Sequence, residues 1–74
     1  MKIELLPRII DDNNIEVREN DVIMIQTKEM TDPAPALVNN IETTLVTITF
    51  LDAIYGNQPC MLRASEIKSL VKTK

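Results

Sequence analysis

Between Thr43 and Leu51 the chain reads TTLVTITFL, and this run constrains everything around it. In an extended backbone Val46, Ile48 and Phe50 share one face while Thr47 and Thr49 take the other, a period of two that a helix cannot bury. A strand with one apolar and one wetter face belongs in an antiparallel sheet, so the run reads as the central strand of a mainly β fold. Seventy-four residues hold one domain, 1–74, close to the lower size limit for an independent hydrophobic core.

Other runs follow the same period. Val22 to Lys28 sets Ile23, Ile25 and Thr27 against Val22, Met24 and Gln26 and reads as a second long strand. Lys2 to Leu6 alternates Ile3 and Leu5 with Lys2 and Glu4, and Pro7 closes it by removing a backbone donor. Asp11-Asp12-Asn13-Asn14 is a turn cluster, because short Asx side chains bond nearby backbone and tolerate left-handed φ; Ile15 to Arg18 is then a brief strand. Glu19-Asn20-Asp21 punctuates again. The only glycine lies in Tyr55-Gly56-Asn57-Gln58, a tight connection that makes Leu45 to Arg63 a hairpin ending on Pro59 to Arg63.

The segment Asp32 to Glu42 reads two ways. Asp32 can cap a helix with Pro33 in its first position, placing Ala34, Leu37, Val38 and Ile41 at i, i+3, i+4 and i+7. Pro35 holds Ala34 away from helical angles, and Asn39-Asn40 is a poor helix centre, which favours a loop. Either way the insertion exceeds what a hairpin needs, which makes Leu37, Val38 and Ile41 candidate partner-binding residues. A second candidate surface is an unpaired strand edge near Ile23 to Thr27 or Leu45 to Leu51.

After Arg63 the chain reads ASEIKSLVK, which fits either a helix capped by Ser65 or a single turn, Ala64 to Ile67, feeding a last strand, Lys68 to Lys72. The run Asn20-Asp21-Val22-Ile23-Met24-Ile25, the hairpin, and Ser65-Glu66-Ile67-Lys68 with Leu70-Val71 together resemble the SH3-like small barrels, including Sm-like and translation-factor types. The resemblance implies the turn-and-strand ending. The expected fold is therefore a small antiparallel barrel or strongly curved sheet of about five strands, with a short helix or a loop in 32–42.

Charge narrows the partners. The chain carries 8 Lys plus Arg and 11 Asp plus Glu, a formal −3, so its overall field does not favour phosphate backbones. Residues 1–37 hold eight acids against four bases, while 38–74 hold four bases against three acids. Arg63, Lys68, Lys72 and Lys74 face only Glu66 beyond position 62, and the first three are the candidate contacts if nucleic acid is bound. One cysteine, Cys60, permits no internal disulfide, which suits a reducing, cytoplasmic setting. The start MKIELLPRIIDD lacks the apolar core of a signal peptide, and Val22 to Ile25, the longest aliphatic run, is far short of a membrane span.

The chemistry available is thin. The chain has no His, the usual acid-base group at neutral pH and the commonest metal ligand. Cys60 sits between Pro59 and Met61-Leu62, a setting that raises a thiol pKa. The acids near position 11 fail the calcium-loop pattern: counted from Asp12 the sixth residue is Val17 instead of Gly and the twelfth is Ile23 instead of Glu, and counted from Asp11 the fifth is Ile15. One glycine cannot build a phosphate-cradling loop. These absences point to a protein without a catalytic centre, metal or cofactor. The expectation is a non-enzymatic interaction module, an accessory or regulatory protein of the kind common among small bacterial and phage proteins. It would bind a protein partner, a second copy of itself included.

Overall fold

The computed structural model describes residues 2–4, 8–42 and 45–73, with side chains described from Ile9 onward. Leu5, Leu6, Pro7, Thr43, Thr44 and Lys74, named above, lie outside the described residues. Strands β1 (Lys2–Glu4), β2 (Arg8–Ile10) and β3 (Glu16–Val17) form a three-stranded antiparallel sheet. Strands β4 (Val22–Thr27), β5 (Ala34–Ile41), β6 (Leu45–Phe50), β7 (Pro59–Arg63) and β8 (Ile67–Lys72) form a five-stranded sheet in the order β7-β6-β5-β4-β8. All neighbouring pairs are antiparallel.

The larger sheet is forced to curl. Laid flat, β7 and β8 would lie at least four strand spacings apart, about 19 Å. Arg63 ends β7 and Ile67 begins β8, and four residues reach at most about 14 Å even when extended. The single 3₁₀ turn Ala64–Glu66 spans this step, with the Lys28 N–H donating to the Glu66 carbonyl at 3.0 Å. The two edges approach one another without pairing, so the result is a curved sheet and not a closed barrel.

The concave side holds the core. Ile23 and Ile25 of β4 and Val46, Ile48 and Phe50 of β6 are buried on the alternation the sequence predicts, and Leu62 of β7 and Ile67 and Leu70 of β8 join them. Ile9 and Val17, paired across β2 and β3, bring the small sheet into the same core. The β4–β8 register shifts between Gln26, opposite Ser69, and Thr27, opposite Ile67, so Lys68 is the extra residue and both Ile67 and Leu70 reach the core. Gln26 is also buried, and its amide nitrogen donates to the Met30 carbonyl at 3.0 Å.

The largest departure from expectation is Ala34–Ile41, which is neither helix nor loop. It forms β5, the middle strand of the sheet, so β6 lies one place off centre. Pro35 sits opposite Leu51, just past the end of β6; its carbonyl accepts the Leu51 N–H, and the donor it lacks removes a bond only beyond the last pair of the β5–β6 ladder. Ala34, Ala36 and Val38 alternate inward, and a register shift between Val38 and Asn40 brings Ile41 back to the core. An alternation of two interrupted by one extra residue imitates helical spacing.

The last part of the chain follows the turn-and-strand reading, Ala64–Glu66 and then Ile67–Lys72. Asn14 (φ 64°) and Asn20 (φ 73°) take left-handed angles in the two Asx turns, and Gly56 (φ 89°) ends the 3₁₀ turn Ala53–Tyr55. No atom lies within 4 Å of where a Gly56 Cβ would stand, so Gly56→Ala strains the backbone alone. Urea unfolding is expected to show a loss of about 1–2 kcal/mol for that variant.

Candidate interaction surface

The structure separates the three residues proposed for partner binding. Val38 is fully buried and Ile41 nearly so, both in the core. Leu37 lies on the opposite face of β5, half-buried, flanked by Val22 of β4 and Thr49 of β6. The shared stripe that suggested a binding surface belongs to a helix that is not there. The two strands named as open edges are also interior: β4 lies between β5 and β8, and β6 between β5 and β7.

The true edges of the larger sheet are β7 and β8, and most of their outward N–H groups are missing or already engaged. On β6 the Leu45 carbonyl accepts the Glu42 N–H, so Leu45 and its partner Arg63 turn their backbone groups away from each other. By alternation Pro59, Met61 and Arg63 point outward from β7. Pro59 has no N–H, and the Arg63 N–H donates to Glu66 Oε1 at 3.0 Å. Among the described residues of this edge, Met61 alone offers both a donor and an acceptor. On β8 the outward Leu70 and Lys72 N–H groups donate to Asp12 Oδ2 (3.0 Å) and Asp11 Oδ2 (2.8 Å), and the Leu70 carbonyl accepts the Asp12 N–H (2.9 Å).

This use of the acidic turn explains what Asp11 is for. Its Oδ1 also accepts the Asn13 and Ile15 N–H groups, at 2.9 and 2.8 Å, and the side chain is only 4% exposed. Burial pushes the Asp11 carboxyl up, but the Lys72, Ile15 and Asn13 N–H donors and the Lys72 charge together outweigh it and hold the group below its ordinary value. Asp21 is lowered as well, chiefly by the Arg18 N–H and against burial, with help from Lys72, whose Nζ lies 3.2 Å from Asp21 Oδ2. Among the described residues no three His, Cys, Asp or Glu gather as metal ligands.

Of the basic candidates, one is engaged in an ion pair. Lys72 is paired with Asp21, while Arg63 and Lys68 are exposed on either side of the turn Ala64–Glu66. Cys60 is half-buried against the core, opposite Ile48.

What sequence reasoning missed is an apolar groove of about 640 Å³ between β7 and the β4–β5 turn. Met30, Phe50, Tyr55, Cys60, Met61 and Leu62 supply its apolar lining, and Lys28, Glu29 and Glu66 also border it. The Phe50 and Tyr55 rings stack at 4.7 Å between centroids, which fixes one wall. Beside the groove Met61 is 68% exposed, and Ile54, next to Tyr55, is 78% exposed. The signal in the sequence was the uncharged stretch from Ala53 to Leu62, which sets Ile54, Tyr55 and Met61 where a hairpin loop is ordinarily polar.

No protein-family description matches the chain, and neither curated proteins nor solved structures include a significant match. Among the described residues no helix is long and apolar enough to cross a membrane.

Proposed function

We propose that this chain is a non-enzymatic protein-interaction module, a small accessory protein that binds its partner by burying apolar side chains in the groove beside Met61. The observation that carries the reading is the concentration of Ile54, Tyr55 and Met61, all exposed, around an apolar groove without a charged residue between Ala53 and Leu62. Depletion of charge together with Met and aromatic residues is the composition of interface centres. Since most outward N–H groups of β7 and β8 are missing or already engaged, side-chain burial supports the reading better than strand addition to the larger sheet does.

The test uses Met61→Glu and Ile54→Glu against the partner recovered by pull-down and mass spectrometry with the unaltered protein. Both positions face solvent, so unfolding free energy is expected to stay within about 0.5 kcal/mol. Partner affinity is expected to fall at least tenfold. Retention of the partner by both variants would remove the groove from consideration. Submicromolar oligonucleotide binding at about 150 mM salt, lost on changing Arg63 and Lys68 to Glu, would overturn the reading in favour of nucleic acid.

A further inference from the structure

The hydrogen bonds between the Asp11-Asp12 turn and β8 have the pattern of a strand pairing in which carboxylate oxygens replace carbonyls. Asp12 both donates to the Leu70 carbonyl and accepts its N–H, as an antiparallel neighbour would, and Asp11 accepts the next outward N–H, that of Lys72. A turn has taken the place of a sixth strand. The set of groups it covers is self-complementary. If two copies of β8 pair antiparallel about Val71, Leu70 faces Lys72 of the second copy at both ends, which gives four backbone hydrogen bonds, and Val71 meets Val71 across the two-fold axis. Within Leu70 to Lys72 no like charges are directly opposed, and a β-branched pair fills the centre.

We infer that the Asp11-Asp12 turn is a lock over a cryptic self-association edge: while it is closed β8 cannot pair, and when it is released β8 joins a second copy of this chain. The groups around the lock are all placed to keep it shut. Asp11 is buried against three N–H donors, Lys72 is held by Asp21, and Ile9 and Val17 keep the small sheet in the core. Release therefore involves the turn, while the sheets keep their packing. The inference is independent of the groove.

Sedimentation equilibrium of the unaltered protein and of Asp11→Asn/Asp12→Asn at pH 7 tests it. The double variant is expected to show a dimer dissociation constant at least tenfold lower. Self-association through the groove would be equal in both proteins and drops out of the comparison. Adding Lys72→Pro, which removes one outward donor from each copy at an edge position that tolerates proline, is expected to reverse the gain. An unchanged dissociation constant in the folded double variant, or a gain that survives Lys72→Pro, would overturn the inference. If the double variant shows no cooperative urea transition, Asp12→Asn alone decides. That variant leaves Asp11 in place and weakens the hold on Leu70, so it is expected to associate more tightly than the unaltered protein, and equal association overturns the lock.

Discussion

Asp11→Ala is expected to lower the unfolding free energy by about 4 kcal/mol or more, an unusually large effect for a residue in a turn. The substitution leaves the N–H groups of Asn13, Ile15 and Lys72 without their carboxylate, in a place water reaches poorly. Hydrogen bonds to a charged group are worth about 1.5–3 kcal/mol each, though three that share one residue do not add in full. Asp11→Asn keeps one acceptor oxygen and is expected to lose about 1.5–3 kcal/mol, measured by urea unfolding at pH 7.

The Asn variant also carries a pH signature. The Asp11 carboxyl lies lower in the folded protein than the ordinary value near 3.8, so its contribution is fully present above about pH 4 and is lost as pH falls through the lower, folded value. Asp21 works in the same direction. The stability gap between the unaltered protein and Asp11→Asn is therefore expected to hold from neutral pH to about pH 4 and to close below it. A gap that widens with acid would show that the Asp11 carboxyl is not held ionised by the fold.

Val38→Asp and Leu37→Asp are expected to part company sharply. Val38 is fully buried and has no partner for a carboxylate, so the substitution is expected to cost at least about 4 kcal/mol. Stability near 0.05–0.15 kcal/mol per residue leaves a chain of this length about 4–11 kcal/mol, so much or all of the fold is lost. Leu37, on the other face of β5 and half-buried, is expected to cost about 1 kcal/mol. Circular dichroism with urea titration measures both. On a helical stripe the two neighbours would respond alike, so similar losses would contradict the strand.

The same pair shows what could be read from residue order and what could not. β4 and β6 were legible because a period of two runs from Val22 to Ile25 and from Leu45 to Phe50, and Pro59 and Gly56 mark the hairpin between β6 and β7; β8, whose Ile67, Leu70 and Val71 also fit a helix, was read as a strand only through the resemblance. β5 was hidden by its own bulge: Ala34, Val38 and Ile41 are inward, but the extra residue after Val38 gave Leu37, Val38 and Ile41 the spacing of a helix. β2, only Arg8–Ile10, is too short to display a period.

The site was less legible than the fold for a different reason. Tyr55, Met61 and Met30 come together only because the sheet curls, and curling follows from the connection between β7 and β8, not from any local pattern. The role of Asp11 depends on a residue 61 positions later, a separation over which composition and spacing carry no information. A turn rich in Asx residues could be recognised, but not the strand against which it would close.

The order of strands in the larger sheet has a consequence for biosynthesis. β4 is the first strand of that sheet to be made, yet one of its two neighbours, β8, is residues 67–72. Until that segment has been synthesised, Ile67 and Leu70 are missing from the core, and Asp11 and Asp12 have no Leu70 or Lys72 N–H to accept. Contacts this distant along the chain also slow the search for the native pairing. The growing polypeptide therefore carries an aliphatic strand, Val22 to Ile25, with one flank bare until residues 67–72 have followed it, and unpaired strand edges of this kind are prone to aggregation.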